Sequence, residues 1–277
     1  MNKIKRPQII IMGAILFGLL LIAFLGLLLR PKKVEEPIIE DVPEEVVIAV
    51  DYKKIKDVNG KYYYEDEHFK SSFGIDVSSF QNKIDWKKVK DDGVEFAYIR
   101  IGRRGATAGS LYPDDEFENN YKGAKDNDLK IGVYFFSQAL NEKEAVEEAD
   151  YLLSLLGDKK IDLPIVYDCE EVFLDDETPR TSKMTKEQFT RNALAFIRHL
   201  EEKGYSCMIY TYQYWAENFY DMEQLKDYPL WYAQYDVKEP VFAYPITIWQ
   251  YSHEGKVNGI EGAADLDIMF IRKDETD

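Results

Sequence analysis

The chain has 277 residues and a formal net charge of −16, from 35 Lys and Arg against 51 Asp and Glu. Hydrophobic residues make up 45% of it and aromatic residues 14%, enough to bury one substantial core or two modest ones, which excludes a disordered protein. The negative charge repels phosphate backbones, so nucleic acid is not an expected partner. Cys169 and Cys207 are too few for a disulfide scaffold; we expect buried free thiols, with a bridge between neighbouring strands as the alternative.

An uncharged stretch lies near the amino terminus, at residues 9–29. As a helix it would be about 30 Å long, enough to cross a bilayer. Neither an A-x-A-like cleavage site nor a lipidation cysteine follows it, so we predict a retained single-span anchor rather than a cleaved signal peptide. Basic residues flank the stretch on both sides and leave its orientation open.

The next segment, residues 31–70, is expected to be a juxtamembrane spacer. Its first part, 31–50, mixes three prolines with acidic residues, a composition typical of an extended linker. Asn59-Gly60 then lies between β-rich flanks and predicts a hairpin turn. The sequence leaves open whether this hairpin stands apart or packs on the main domain, which we expect to comprise residues 71–277.

Eight apolar, β-rich runs follow from residue 73 onward. They are FGIDVS (73–78), FAYIRIG (96–102), IGVYFFS (131–137), PIVYDCE (164–170), CMIYTY (207–212), LWYAQY (230–235), ITIWQYS (246–252) and DLDIMFI (265–271). Apolar strands separated by helices predict a parallel sheet covered by helices, and eight of them favour closure into a barrel. The last three runs are joined by loops too short for crossover helices, so we predict an irregular β/α barrel with a helical first half.

Two helices are marked by periodic apolar residues and by capping signals. The first is predicted over 142–156, with Asn141 as its N-cap and Gly157 at its end. The second is predicted from Thr185, with Gln188 completing a capping box, to Gly204.

The run IVYDCEE (165–171) ends in two acids, Asp168 and Glu170. Residues two apart on a strand point to the same side, about 6.5 Å apart, so these acids share a face and Cys169 points away towards the helices. Reactive groups in parallel barrels gather at the carboxyl ends of the strands, where this pair lies. Asp76 ends another run, and Asp265 and Asp267 flank Leu266 in the same i, i+2 pattern.

Any one of these acids could simply cap a loop or pair with an arginine, such as Arg100, Arg103 or Arg104. Several of them on one rim favour a reactive site, because clustered carboxyl groups raise one another's pKa and keep a general acid protonated near pH 7. That chemistry suits glycoside hydrolysis. Aromatic residues in or beside the strands could stack on sugars, although each could equally be core: Tyr134, Tyr210, Tyr212, Trp231, Tyr235, Trp249 and Tyr251.

The ordered motifs resemble the glycoside hydrolase family 25 lysozymes, N-acetylmuramidases of the Chalaropsis type. The resemblance covers about residues 72–272 through GIDVSSFQNKIDW, FAYIR, DDEFENN, IGVYFF, PIVYDCE, LWYAQY, WQYS and GKVNGIEGAADLD. It implies a flattened, irregular barrel of eight strands with fewer helices, and cleavage of the β-1,4 bond between N-acetylmuramic acid and N-acetylglucosamine in peptidoglycan.

The resemblance also implies roles for individual residues. Glu170 would be the proton donor, and Asp168 would orient the substrate's 2-acetamido group, which acts as the internal nucleophile. Asp76 and Asp265 would complete the acidic pocket. The residues expected to contact sugar are Tyr134, Tyr210 and Trp249. Spacing alone leaves a retaining mechanism with an enzyme nucleophile equally open.

The chain departs from the family pattern at three positions. Asn82 replaces a usual glycine, Asp267 stands where Asn is more common, and Phe135 replaces a histidine, which removes a polar group and could alter substrate preference.

Together these features predict a membrane-tethered lysozyme, with residues 1–30 as cytoplasmic N-terminus and anchor and the catalytic domain outside the cell. Peptidoglycan glycan strands are the expected partner; no cofactor and no metal are expected, and the oligomeric state stays open. One alternative is a non-catalytic peptidoglycan-binding or wall-assembly module. Another is a metal-dependent hydrolase, which would be expected to recruit histidines, and His68, His199 and His253 do not adjoin the acids.

Overall fold

The computed structural model describes residues 49–275, and its central feature is a closed ring of eight hydrogen-bonded strands. The predicted anchor at 9–29 and the spacer up to residue 48 lie outside the described residues. Within the described range, none of the helices has both the length and the apolar character needed to cross a membrane.

Eleven strands are numbered in chain order. They are β1 (Lys56–Val58), β2 (Lys61–Tyr63), β3 (Phe69–Val77), β4 (Phe96–Arg104), β5 (Leu111–Pro113), β6 (Lys130–Phe136), β7 (Ile165–Asp168), β8 (Cys207–Tyr212), β9 (Leu230–Ala233), β10 (Ile248–Gly255) and β11 (Ala264–Arg272). The ring runs β3-β11-β10-β9-β8-β7-β6-β4 and is closed by pairing of β3 with β4, while β5 is added at the far end of β4. The eight predicted strands are confirmed as the eight strands of this barrel.

The predicted parallel sheet is correct for seven of the eight barrel strands, and the eighth runs in the opposite direction. Neighbouring barrel strands are parallel from β3 through β4, β6, β7, β8 and β9 to β10, but β11 is antiparallel to both β10 and β3. A parallel connection needs a crossover of a dozen or more residues, and the loop at 256–263 is too short to supply one. The start of β11 therefore lies at the rim where the other barrel strands end.

Six helices complete the described fold. They are α1 (Trp86–Asp91), α2 (Phe117–Asp126), α3 (Glu142–Leu156), α4 (Lys186–Glu201), α5 (Gln213–Asn218) and α6 (Met222–Leu225). The predicted caps of α3 and α4 are confirmed, since the side chains of Asn141 and Thr185 accept hydrogen bonds from the third N–H of each helix. The capping box of α4 is incomplete, because the Gln188 Oε1 accepts from the Arg191 guanidinium and not from the Thr185 N–H.

Two apolar layers lie on either side of the barrel wall. The outer layer packs strands against helices and includes both cysteines, which are buried free thiols as expected. Phe135 also faces this layer, 6.4 Å from Phe196 between ring centroids, so its replacement of a histidine does not change the inside of the barrel.

Large side chains fill the interior by packing over glycines. A Cβ on Gly74 would lie 2.2 Å from the Phe96 ring, and one on Gly132 would lie 2.2 Å from the Tyr98 ring. Only glycine leaves room for these rings, so the lower barrel is solid and the open space is confined to the rim.

The predicted hairpin at Asn59-Gly60 is present as the β1–β2 pair, and it packs on the barrel. The Tyr62 ring stacks on Tyr251 of β10 at 4.2 Å, and the Lys61 ammonium forms an ion pair with Asp92 at 3.0 Å. β3 itself begins at residue 69. Residues 49–70 thus belong to the same compact unit as the barrel, which includes part of the segment expected to be a spacer.

Candidate active site

A cavity of about 270 Å³ opens at the rim where the parallel strands end. Its lining combines carboxyl groups, aromatic rings and one arginine. The lining residues are Asp76, Ser78, Phe80, Gln81, Arg100, Tyr134, Phe136, Asp168, Glu170, Tyr210, Trp231, Tyr235, Gln250 and Asp265. Within residues 49–275, no group of three or more His, Cys, Asp or Glu side chains is arranged to hold a metal ion.

The four acids singled out in the sequence all reach this cavity. Asp76 is near the end of β3, directly opposite Asp265 on the antiparallel β11. Asp168 ends β7, and Glu170 follows two residues later on the same side. The structure therefore brings together residues from three strands that are far apart in the sequence.

Burial raises the pKa of the two acids nearest the opening. It raises the pKa of Glu170 to about 7, with a further contribution from the negative charge of Asp265. Burial likewise raises the pKa of Asp265 to about 6, although the nearby His253 opposes the rise. A carboxyl group with a pKa near 7 can donate a proton at neutral pH.

Asp168 is enclosed and has no hydrogen-bonding neighbour for one of its oxygens. Its side chain is 5% exposed, and Oδ1 is buried without a partner among the described residues. Burial and then the charge of Glu170 raise the pKa of Asp168, while Arg100 lowers it. An orphaned carboxylate oxygen beside a cavity is available to accept a hydrogen bond from a bound molecule.

Two arginines near the cavity form ion pairs with other acids. Arg100 lines the cavity, yet its guanidinium forms an ion pair with Asp114 at 2.7 Å and lies over the Phe80 ring at 4.9 Å. Arg104 pairs with Glu148 at 2.7 Å behind the barrel wall. Among residues 49–275, none of the four acids forms an ion pair with an arginine, so they are not structural pairing partners.

The aromatic residues divide between the two faces of the wall. Tyr134, Tyr210, Trp231 and Tyr235 line the cavity, whereas Tyr212, Trp249 and Tyr251 do not. Trp249, expected to contact sugar, is 0% exposed in the outer layer, where its indole N–H donates to the Gln234 carbonyl at 2.8 Å. Trp249 and Tyr251 are two residues apart on β10, so their side chains point to the same face of the strand, which is the face away from the cavity.

Several cavity residues are absent from the sequence interpretation of the site, among them Gln250, Arg100 and Phe80. Gln250 lies between Trp249 and Tyr251 and points inward, as strand alternation requires. Arg100 was considered only as a pairing partner of the acids. Phe80 is 80% exposed at the cavity edge. A polar residue between two aromatics on a strand was the available signal for Gln250.

Asp267 lies beneath the cavity floor, two residues from Asp265 on the inward face of β11. It is 0% exposed and accepts a hydrogen bond from the Trp231 indole N–H at 2.8 Å. Burial raises its pKa well above the ordinary range. The ring of Trp231 in turn meets Tyr210 edge to face at 5.2 Å, so Asp267 supports the aromatic floor.

The loop after β6 holds the backbone of the acidic pair. The backbone N–H of Ser137 donates to the Asp168 carbonyl at 2.7 Å, and the side-chain amide of Gln138 donates to the Glu170 carbonyl at 3.2 Å. Glu148 of α3 anchors this loop by accepting from the Ser137 hydroxyl at 2.5 Å. These bonds fix the main chain from which both carboxyl groups project.

Comparison with known proteins identifies relatives of this fold and site. The model of the family Glycosyl hydrolases family 25 matches residues 75–260. The "Autolytic lysozyme" of Clostridium acetobutylicum is 34% identical over 197 residues, which cover 70% of this chain and 54% of that protein. "Lysozyme M1" of Streptomyces globisporus is 32% identical over 206 residues, covering 69% of this chain and 65% of that protein. The chain thus spans between about half and two thirds of the length of these two relatives.

A solved structure shares the fold. The bacterial lysozyme from Streptomyces coelicolor superposes with a TM-score of 0.57 and 28% sequence identity, over 71% of this chain and 90% of that one. The residues matched by the family model include Asp76, Asp168 and Glu170, whereas Asp265 on β11 follows them.

Proposed function

Since this chain belongs to glycosyl hydrolase family 25, we propose that it is a lysozyme, a 1,4-β-N-acetylmuramidase that hydrolyses the bond between N-acetylmuramic acid and N-acetylglucosamine in peptidoglycan. The observation that carries the proposal is Glu170, whose pKa is raised to about 7 in a cavity that holds three further carboxyl groups. Such a group is protonated near neutral pH, as a general acid for glycosidic cleavage must be.

In this mechanism Glu170 gives its proton to the oxygen of the departing sugar. Asp168 accepts a hydrogen bond from the N–H of the 2-acetamido group through its unpartnered carboxylate, and so aligns the acetamido oxygen with the anomeric carbon. Asp76 and Asp265 hold the developing positive charge of the sugar from the facing strands. Tyr134 and Tyr210 contact the sugar in this mechanism, and their position in the cavity lining supports that role.

The general acid is tested by Glu170→Gln, which keeps the size of the side chain and removes the proton. Purified full-length protein is incubated with peptidoglycan, and the products are analysed for new reducing ends by mass spectrometry. We expect loss of nearly all activity with an unchanged folded state, and products of the wild type that end in muramic acid. The matched control is Glu171→Gln, an exposed neighbour outside the cavity, which should retain activity.

Three results would contradict the proposal. Full activity of the Glu170→Gln protein would show that another group supplies the proton. Tight binding to peptidoglycan without release of reducing ends would favour a non-catalytic wall-binding module instead. Cleavage that leaves N-acetylglucosamine at the reducing end would assign a different glycosidic bond.

The acetamido-assisted route has its own test. If the substrate's acetamido group is the nucleophile, peptidoglycan whose muramic acid has been N-deacetylated should not be cleaved, whereas an enzyme carboxylate nucleophile would still cleave it. Matched substrate that has been re-acetylated should recover full susceptibility.

We propose in addition that the enzyme is a single-pass membrane protein with its catalytic domain outside the cell. The uncharged stretch at 9–29 supports an anchor, and the position of peptidoglycan outside the membrane supports this orientation. The full chain should therefore sediment with membranes, and protease added to spheroplasts should remove the catalytic domain. Protection from protease would place the domain on the inner side.

A further inference from the structure

Gln250 makes three short hydrogen bonds that join the acids to the tyrosines of the cavity. It is 4% exposed on the inward face of β10. Its amide Nε2 donates to Asp76 Oδ2 at 2.6 Å, and its Oε1 accepts from the hydroxyls of Tyr210 at 2.9 Å and Tyr235 at 2.5 Å. One side chain thus links β3, β8 and the end of β9 through a single planar amide.

The chemistry of an amide restricts how these bonds can be arranged. One end of the group only donates and the other end only accepts. While Asp76 is ionised it can only accept, so the NH₂ must face it and the oxygen must face the tyrosines. Both hydroxyl hydrogens of Tyr210 and Tyr235 are then used on Gln250, and the cavity meets only their oxygen lone pairs.

Protonation of Asp76 permits the reverse arrangement. The carboxylic acid donates to the Gln250 oxygen, the amide turns over and donates to the two tyrosine oxygens, and the hydroxyl hydrogens point into the cavity. The same heavy-atom positions serve both arrangements, because the oxygen and nitrogen of the amide exchange places by a half-turn.

The surroundings of Asp76 make both of its charge states accessible. Asp265 and Asp267 of β11 and Asp168 of β7 face it as negative groups, and together with burial they raise its pKa; the Gln250 bond opposes the rise. The remaining charged or titratable groups that line this cavity are Glu170, Arg100, Tyr134, Tyr210 and Tyr235.

We propose that Gln250 is a positioning residue that couples the protonation state of Asp76 to the direction in which the Tyr210 and Tyr235 hydroxyls hydrogen-bond to the substrate. The inference rests on the proposed muramidase function for its kinetic consequence. An ionised Asp76 makes the tyrosines acceptors for sugar O–H and N–H groups, and a protonated Asp76 makes them donors. Gln250 acts through these three partners and does not itself touch the reacting atoms.

The kinetic experiment compares Gln250→Met, Gln250→Glu and the wild type. Methionine keeps the length of the side chain and loses every bond, whereas glutamate, once ionised, still accepts from both tyrosines and repels Asp76. We expect kcat/KM on peptidoglycan to fall at least tenfold in Gln250→Met, and the acidic limb of its pH profile to move upward by about one unit, because the donor that stabilised ionised Asp76 is gone. Gln250→Glu should move the limb further.

The control is Gln224→Glu, which adds the same charge at an exposed position of α6 outside the cavity. It should leave the profile unchanged. A double-mutant cycle of Gln250→Met with Tyr235→Phe should be non-additive, because both changes break one bond. A wild-type pH profile with kcat/KM within twofold in Gln250→Met, or strict additivity in the cycle, would overturn the proposal.

A second readout needs no catalysis and separates this inference from the proposed function. Inactivity of the wild-type protein on peptidoglycan would refute the muramidase alone. The melting temperature measured at several pH values then tests the role of Gln250. Asp76→Asn should raise the melting temperature by an amount that grows as pH rises. In the Gln250→Met background, this gain should keep growing to a higher pH. Identical pH dependence in the two backgrounds would show that Gln250 does not act on Asp76.

Discussion

Five carboxyl groups lie in or beneath one cavity: Asp76, Asp168, Glu170, Asp265 and Asp267. Burial is the largest cause of the raised pKa of each. An enclosed site solvates an ionised carboxylate poorly, and neighbours of the same sign add to the cost. The folded protein therefore favours the protonated acids, and their ionisation opposes folding.

Asp267→Asn should stabilise the protein at high pH. The folded-state pKa of Asp267 is raised above its unfolded value of about 3.9. As pH rises from the unfolded pKa towards the folded one, ionisation of Asp267 therefore lowers the free energy of unfolding. Asparagine keeps the acceptor oxygen for the Trp231 indole and has no charge. We expect a higher melting temperature than that of the wild type at pH 8 and an equal one at pH 3.5, measured by circular dichroism.

The exposed Asp175→Asn is the control for removal of one charge, and it should show no such trend. A constant difference between the Asp267→Asn and wild-type proteins at all pH values would mean that packing, and not ionisation, causes the effect.

The rate of cleavage should fall on the alkaline side as Glu170 loses its proton. With a pKa of about 7, the fraction of protonated Glu170 decreases about tenfold per pH unit above pH 8. We expect kcat/KM on soluble glycan fragments to follow that decrease. A rate that stays level to pH 9 would show that Glu170 is not the proton donor.

Side-chain direction explains which site residues could be predicted from the sequence. Strand alternation predicted that Asp168 and Glu170 share a face while Cys169 points away, and the structure confirms it. The same rule places Trp249 outside the barrel and Gln250 inside. Aromatic character does not distinguish the two faces of a strand, and Trp249 lies on the outer one.

At the scale of elements, the β1–β2 hairpin supports the outer side of the strand that carries Gln250. Its Tyr62 ring lies 5.4 Å from Trp249 and stacks on Tyr251, the two residues that flank Gln250 in β10. The Tyr251 hydroxyl also donates to the Gly60 carbonyl at 3.2 Å. This hairpin precedes the region matched by the family model, so it is an addition to the barrel.

Removal of the hairpin should destabilise the barrel. A fragment that starts at residue 71 lacks it, loses the burial of Tyr64 and shortens β3, which begins at Phe69. Loss of two or three large buried side chains costs on the order of 5 kcal/mol, or roughly 10–20 °C in melting temperature. Calorimetry of fragments 48–277 and 71–277 measures the difference, and equal melting temperatures would show that the hairpin contributes nothing.

Helices and strands could be predicted from the sequence because apolar runs and capping residues are local signals. Strand direction depends instead on the length of the connections between strands. The eight strands and the ends of α3 follow from periodicity. The reversal of β11 follows from loop length, since 256–263 cannot return the chain to the opposite rim. Packing of the hairpin depends on Tyr62 meeting Tyr251, a contact between residues too distant in sequence for any local pattern to indicate.

At the scale of the whole molecule, the net charge of −16 opposes approach to an anionic cell wall. Like charges repel over a Debye length of about 30 Å at 10 mM salt and about 8 Å at 150 mM. A tethered enzyme needs no electrostatic attraction, whereas a released one must overcome this repulsion at every encounter.

Salt should therefore accelerate the released catalytic unit on intact walls. We expect fragment 48–277 to lyse walls several-fold faster at 150 mM than at 10 mM salt. On uncharged soluble glycan fragments, its rates at the two salt concentrations should agree within twofold. Walls stripped of their anionic polymers provide the control and should show no acceleration. Inhibition by salt on intact walls would mean that a local basic surface guides binding.

Closure of the barrel by its first and last strands bears on how the enzyme is made. Asp76 on β3 faces Asp265 on β11, and β11 is the final strand of the described chain. A nascent polypeptide cannot pair these strands until residue 272 has emerged from the ribosome. A translation product that stops before β11 consequently lacks one wall of the acidic cavity, so the cavity cannot assemble without this strand.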